Sequence, residues 1–389
     1  MPPAPTGVAD YAAALFQALR RSGDVELGDP HRRSEPDEIA LYHIGNNHLH
    51  REIYKRAIEN PGLVVMHDAV LQHFFLGTLD ERGYAEEFVF NYGEWMRDMA
   101  RELWRNRARS AADPRYFAYP MLKRIVARSR GVIVHNPAAA AAVRLHSPET
   151  RVFEIPHLFE APRSEGARML PDTIETLRFR NALGLGPRTL LVSVFGHMRE
   201  SKRLPSIVRA MNRVWDGGVD ARLLIAGAFA SSDLERAAGA WLADPRILRT
   251  GYLSEDDFWR YAAATDVCVN LRFPAACETS GIAIRLMGIG KAVVFTEGLE
   301  IARIPENACL RVDAGEAEEE MLARILGWLA RDREAAVEIG KRAAGHIARE
   351  HGIEKVARQY WEAIRCFDRV PRDDRCDRRR EADPSLRSG

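Results

Sequence analysis

The sequence predicts an α/β fold made of two doubly wound halves that face each other across a cleft. Three observations predict it. Short apolar runs alternate with helical periodicity along most of the chain, the pattern of a parallel sheet covered on both faces. A Pro-, Gly- and charge-rich stretch at about 160–187 interrupts the alternation, which then restarts. The chain has 389 residues and 46% hydrophobic content, enough for two cores and too long for one ordinary domain.

The elements follow in order. Residues 6–21 read as a helix that Thr6 can cap, with Val8, Tyr11, Ala12, Leu15, Phe16 and Leu19 at helical spacing. Residues 39–44 read as a buried strand ended by Gly45-Asn46-Asn47, and residues 48–59 as a helix. Residues 63–66 form a short apolar strand ended by His67-Asp68. Residues 69–110 are mostly helical, and 131–135 and 152–155 are further strands. Beyond the break come strand 190–195, a helix after Lys202, strand 221–226, helix 232–242, strand 247–250 and helix 255–264. Strand 267–271, helix 281–289, strand 292–295 and helices 316–331, 334–350 and 353–366 complete the series. The expected organisation is an N-terminal domain over 1–160, a linker over 161–187 and a C-terminal domain over 188–350. A helix at 351–368 would cross back to the first domain. The charged, apolar-poor segment 369–389 is expected to be disordered. A doubly wound domain begins with a strand, yet Met1–Gly7 reads as the loop after one. A short apolar strand is therefore expected upstream of Met1.

Composition excludes several classes. The net charge of +1 offers no global field for nucleic acid. Of 56 Lys and Arg only six are Lys, which points to a coding bias more than to a nucleic-acid surface. Five Cys at 268, 277, 309, 366 and 376 lack metal-ligand spacing and are odd in number, as in a reducing cytosol. His43, His48 and His50 mix strand and helix faces, and no Cys joins them, so they do not read as a zinc site. No apolar run approaches the roughly 18–20 residues of a spanning helix, and the start lacks the pattern of a signal peptide.

The stretch Arg272–Arg285 carries the most chemical information. An apolar strand stops at Pro274, then Glu278, Thr279, Ser280 and Gly281 lead into an apolar-periodic helix. A helix N-terminus facing a crevice attracts anions and polar ligands, and a Glu there is placed to grip hydroxyls. Thr279 or Ser280 also reads as a plain helix cap, which is compatible with ligand binding. Phe195–Arg203 has the same strand–loop–helix character. Gly196 allows close backbone approach, and Lys202 with Arg203 suits a diphosphate; a solvated basic pair at a helix start is the plainer reading. His67-Asp68 and Gly45-Asn46-Asn47 end strands of the first half and face the same cleft. His67 reads either as a hydrogen-bonding partner of a substrate or as a structural turn residue. His50 reads as packing on its helix. Residues 95–109 form a basic amphipathic helix, with Trp95, Met99 and Leu103 as the core stripe and Arg101, Arg105 and Arg109 facing lipid, an anionic acceptor or solvent.

At these residues the chain resembles the GT-B retaining glycosyltransferases that share the group 1, family 4-like C-terminal domain. Pro3–Tyr11, Tyr42–Asn47 and Val65–Asp68 resemble the family's three N-terminal ligand loops. Gly196 and Lys202-Arg203 match its diphosphate loop, Gly251–Phe258 its nucleobase segment, and Ala264–Leu271 with Glu278 its donor-sugar loop. Two departures stand out. The family's E-x7-E pattern begins at Glu278, but its second position is Leu286. One branch lacks that second Glu and reads Gly-Glu-Thr-Ser-Gly here; this chain has Cys277 where that branch has Gly.

The resemblance implies a metal-independent, hexosyl-type retaining glycosyltransferase that moves a sugar from a nucleotide-diphosphate sugar to a hydroxyl on a glycan or glycolipid. Its expected setting is bacterial cell-surface polysaccharide synthesis. No cofactor is expected, the nucleotide sugar being a co-substrate, and no nucleic-acid partner. The implied location is the cytoplasm, with peripheral contact at the inner face of the membrane. Glu278 and His67 would be catalytic. Gly7, Asn46, Asp68, Gly196, Lys202, Arg203, Leu253, Thr279, Ser280, Gly281 and Ile282 would bind the donor. The rival reading is a catalytically silent GT-B scaffold or nucleotide-sugar-binding partner in glycan assembly, favoured by Leu286 and the unusual start. A nucleotide-sugar epimerase of the same fold would need more acid/base carboxylates than the sequence shows.

Overall fold

The computed structural model describes residues 7–28, 35, 38–162 and 173–367. The Thr6 cap, the Pro3–Thr6 part of the first loop, the tail 369–389 and part of 161–187 lie outside them.

The described residues form two parallel sheets. The first joins β1 (Leu41–Ile44), β2 (Leu63–Met66), β3 (Gly131–Val134) and β4 (Val152–Glu154) in that order, with Leu41 opposite Leu63, Leu63 opposite Gly131 and Val132 opposite Val152. Every residue of β2 and β3 is buried, which is why both read as uninterrupted apolar runs. The sheet is continuous through these four strands. Among the described residues nothing pairs with the outer side of β1.

The second sheet joins β5 (Leu190–Phe195), β6 (Ala221–Ala226), β7 (Ile247–Arg249), β8 (Val267–Asn270), β9 (Ala292–Thr296) and β10 (Leu310–Val312) in the order β10-β9-β8-β5-β6-β7. The winding direction reverses between β5 and β8. That switch point opens a crevice at the carboxyl ends of the two strands. The strand β10 has no counterpart in the sequence reading, because a run of three residues, of which Val312 alone is buried, shows no period.

Each sheet has a core on both faces, as its alternating side chains require. Ile44, Val64, Met66 and Val132 pack on one side of the first sheet, and Leu63, Val65 and Ile133 on the other. On the second sheet Val192, Val194 and Ile225 face one way, and Leu191, Phe195 and Leu224 the other. The helix Gly7–Arg20 covers the first sheet together with the last helix, Ile353–Arg365. Their hydroxyls Tyr11 and Tyr360 meet at 2.9 Å, and Arg21 pairs with Glu354 at 2.8 Å. The end of the described chain thus returns to the N-terminal sheet.

Two segments differ from the sequence reading. The stretch read as a linker contains a helix, Ile174–Ala182, capped by Thr173. Its Arg180 binds Asp266 at 3.1 Å and the Thr189 carbonyl at 2.8 Å, and Phe179 packs edge-on against Tyr261. The helix therefore packs on the C-terminal half. The second difference is the stripe assigned to Trp95, Met99 and Leu103. Gly93, at φ 95°, ends the preceding helix, and Glu94–Met96 form a tighter 3-10 turn. The phase shifts, so Met96, Ala100 and Leu103 are buried and Trp95 is 81% exposed.

Candidate functional site

The crevice at the switch point is built from the loops after β5 and β8. Gly196 follows β5 at φ 88°, a conformation that favours glycine. A Cβ on the neighbouring Gly227 would stand 2.2 Å from the Gly196 carbonyl, so the loops after β5 and β6 touch through bare backbone. Lys202 is 5% exposed, and its Nζ donates to the Phe195 carbonyl. Burial, and after it the Arg272 guanidinium, holds the Lys202 ammonium well below the usual lysine range. Among the described residues no carboxylate forms an ion pair with this lysine, and Glu278 acts on it only through space. Arg203, expected beside Lys202 as a phosphate ligand, is already paired with a carboxylate, and its guanidinium lies over the Phe273 ring. Its Nε binds the fully buried Glu318 at 2.9 Å. The exposed cation of this loop is Arg199, which has no ion-pair partner among the described residues and acts electrostatically on both Lys202 and Asp68.

The loop after β8 holds Glu278 in place. Glu278 Oε1 lies 3.2 Å from Arg272 Nε, and Oε2 accepts from the Ala276 amide at 2.7 Å. Ser280 caps the helix Gly281–Gly288 by accepting from the Ala283 amide at 3.3 Å, and donates to Asn270 at 3.0 Å. Thr279 accepts from the Asn136 side chain at 3.0 Å. Ile282 reaches the Gly196 position. Gly281 leaves room for His157, whose ring atoms would be 3.1 Å from a Cβ there. Leu286 is fully buried in the core behind the helix. Leu253 packs against this core, just before the helix Glu255–Ala264.

The opposite wall is the carboxyl edge of the first sheet. Asp68 accepts from the Asn46 amide at 2.8 Å. Burial and the nearby Glu278 raise its carboxyl to about 6. Asn46 uses its side chain structurally: Oδ1 accepts from the Phe74 amide at 2.9 Å, and Nδ2 meets His73 at 3.2 Å. Gly7 begins the first helix and is exposed, with Val8 packed against Gly45. His50 is buried, its Nδ1 3.1 Å from the His43 carbonyl.

The four strands of this sheet each deliver a histidine to the edge: His43 in β1, then His67, His135 and His157 after β2, β3 and β4. His67 Nε2 lies 3.0 Å from His43 Nδ1. Tyr11 packs against all four rings, with centroids 4.8–5.9 Å away. Burial pushes His43 and His157 down to about 3 and His135 to about 4, and His67 well below its ordinary value. Among the described residues no three of these side chains converge as metal ligands.

Sequence reasoning missed Asn136, Arg199 and Arg272. Asn136 ends β3 and caps the helix Pro137–His146 through Oδ1. Its Nδ2 spans the cleft to the Cys277 carbonyl at 2.9 Å as well as to Thr279. The cap was legible in Asn136-Pro137; the bridge to a residue 141 positions away was not. Arg272 stood inside the informative stretch, but its pairing with Glu278 depends on how the loop folds.

Comparison with known proteins bears on this geometry. Residues 189–331 match the family model described as glycosyl transferases group 1. No curated protein matches the sequence. Among solved structures, the chain is similar to sucrose-phosphate synthase from Thermosynechococcus elongatus, with 18% identity and TM-score 0.58 over 84% of this chain and 73% of the other. It is similar to Anabaena HepE in complex with UDP-glucose, with 14% identity and TM-score 0.55 over 83% and 85%. WaaG, a glycosyltransferase involved in lipopolysaccharide biosynthesis, gives 13% identity and TM-score 0.57 over 92% and 96%. At these identities the structures establish a shared GT-B fold.

Proposed function

For a chain of GT-B fold whose residues 189–331 carry the group 1 glycosyltransferase domain, we propose a retaining transferase that moves a sugar from a nucleoside-diphosphate donor to a hydroxyl acceptor in cell-surface glycan synthesis. The observation that carries this reading is the convergence of Lys202, Arg199, Arg272 and Glu278 at the switch point of the second sheet. Lys202 and Arg199, with the amides that open the helix Gly281–Gly288, take the diphosphate. Positive charge beside a helix N-terminus is what a departing diphosphate requires. Glu278, held by Arg272 and the Ala276 amide, keeps one face toward donor hydroxyls. His67, fixed by His43 and Tyr11, orients the sugar from the other wall. The departing phosphate oxygen takes the acceptor proton as the new glycosidic bond forms on the same face. Charge neutralisation falls on side chains, so transfer should persist in EDTA. HepE was crystallised with UDP-glucose, which makes UDP-sugars the first donors to try.

The test is incubation with UDP-, GDP- and ADP-sugars and a glycan acceptor panel, followed by NMR assignment of the product anomer. Retention of the donor's anomeric configuration is expected. Glu278→Gln should lower transfer at least tenfold with little change in stability, because the side chain sits at a partly exposed loop. An inverted product, or near-normal transfer by Glu278→Gln, removes the mechanism. A nucleotide that binds without ever being turned over favours the scaffold reading.

A further inference from the structure

We propose that the acceptor sits in the cavity beside the phosphate loop and carries an acidic group that Arg109 recognises; this rests on the transferase reading above. The cavity measures about 430 Å³ and is lined by Ala108, Arg109, Ala111, Ala112 and Asp113 on one side and Glu200 on the other. Its size falls among small-molecule pockets, which span about 300–1,000 Å³.

Position makes it an acceptor site. Glu200 opens the 3-10 turn Glu200–Lys202 that carries the buried lysine, so the cavity borders the diphosphate loop. On the other side, His73 meets the Ser110 backbone and feels Arg199 and Glu200 electrostatically. His73 touches Asn46, whose amide binds Asp68. The cavity is therefore two positions along the chain from Lys202 and is linked to Asp68 through Ser110, His73 and Asn46.

Charge assigns the class of acceptor. Three arginines of this region are neutralised: Arg97 by Glu94, Arg101 by Asp98, and Arg115 by Asp113 and Glu102. Three exposed ones are not. Arg105 binds the Arg101 carbonyl, Arg107 binds the Trp104 carbonyl and stacks over the Trp104 ring, and Arg109 has no side-chain partner among the described residues. Asp113 lines the cavity, but its carboxylate is already engaged by Arg115. Of Arg105, Arg107 and Arg109, the last lines the cavity, where no carboxylate of the described residues pairs with it. Glu200 has no side-chain partner among the described residues and faces in from the opposite wall. It is available to accept from sugar hydroxyls, while a guanidinium holds a phosphate or carboxylate in a forked geometry. A sugar with one acidic group and free hydroxyls satisfies both walls.

The experiment titrates glucose 6-phosphate, glucuronate and glucose into the full chain, with and without UDP, and reads binding by isothermal titration or ligand-observed NMR. At least one acidic sugar should bind about tenfold or more tighter than glucose, the effect of one charge-assisted contact. The margin should shrink as salt rises. Preference for the phosphate names a phosphorylated acceptor, and preference for glucuronate a uronic one. Arg109→Ala should abolish the margin and Arg109→Lys restore part of it, while the affinity for UDP stays unchanged. Equal or better binding of glucose, no binding by any of the three sugars, or a margin that survives Arg109→Ala overturns the assignment. If no nucleoside diphosphate binds, the transferase reading fails separately, and the comparison made without UDP still decides the subsite.

Discussion

The two sheets present the same edge to the same cleft and equip it differently. The C-terminal sheet ends in charge: Lys202, Arg199, Arg272 and Glu278 surround its switch point. The N-terminal sheet ends in a row of four histidines packed on Tyr11, kept neutral by burial. One winding topology therefore supplies a wall of charged side chains and an uncharged, aromatic, hydrogen-bonding wall. The difference teaches that the topology fixes only where a site sits; the residue that ends each strand decides its chemistry. It also gives the two halves different sensitivities.

Acid should separate them most strongly. The four histidines titrate in the fold far below the ordinary value of 6.5. Above pH 6.5 both folded and unfolded states are neutral, and stability is independent of these groups. As pH falls below 6.5 the unfolded chain takes up protons and the folded one does not, so stability is lost down to about 3–4, where the folded rings titrate. At pH 5 each ring that stays neutral costs about 2 kcal/mol. Four together approach the roughly 5–15 kcal/mol that holds a domain folded. Across the cleft, among the described residues, His197 and His346 lie on the C-terminal half and His351 at its junction with the last helix, three against the larger set on the N-terminal half. Hydrogen exchange between pH 7 and 5 should deprotect β2 and β3 before β5 and β6. Simultaneous loss in both sheets would break the comparison.

Next in size is the bridge between the walls. Asn136→Ala removes a helix cap and two hydrogen bonds to the donor loop, a loss of about 2–3 kcal/mol. Asn136→Ser keeps a capping oxygen and removes the bridging nitrogen without burying a charge against the Cys277 carbonyl. Its stability should fall less, while kcat for transfer should fall as much as in the alanine variant. If Asn136→Ser turns over normally, the bridge serves folding and not the placement of Glu278 and Thr279.

Lys202→Met sharpens the other side. The methionine keeps an apolar stem in a buried slot and removes an ammonium that burial already penalises, so stability should be kept or rise. Affinity for a nucleoside diphosphate should drop about 10- to 150-fold, the range for a charged contact. Arg199→Ala, at an exposed position, should weaken it less. Unchanged binding in Lys202→Met would move the phosphate site elsewhere.

Much of this was legible in the sequence. The β2 and β5 bounds are the apolar runs themselves, and helices 232–242 and 255–264 are bounded by the serines that cap them. Local chemistry also exposed Gly196, Lys202 and Glu278, since each sits in a strand–loop–helix turn. Partnerships were not legible. Arg203 read as a phosphate ligand because nothing in its neighbourhood announces Glu318, 115 residues on, as a buried acid needing a cation. The histidine row was spread over 115 positions, and only the parallel register lines it up. Trp95 was misplaced by a phase shift of one residue that follows the break at Gly93.

The smallest effect lies where the two walls touch. Cys277 has φ 54°, a left-handed conformation that a side chain disfavours by about 1–2 kcal/mol. Its carbonyl accepts from Asn136, and its side chain packs against the core of the N-terminal sheet. The residue thus combines a strained backbone with a contact that only a side chain makes. Cys277→Gly relieves the strain but loses the packing and gains unfolded-state freedom of about 0.5–1 kcal/mol, so its stability should stay within about 1 kcal/mol of the parent. Cys277→Ala keeps the strain and loses the sulfur, and should be the less stable of the two. Cys277→Val, β-branched in a left-handed turn, should be the worst. The comparison needs only denaturant midpoints for the three variants. Alanine outranking glycine would mean that contact with the N-terminal core, and not backbone conformation, sets the residue at 277, and that the two walls are joined more tightly through this side chain than through Asn136.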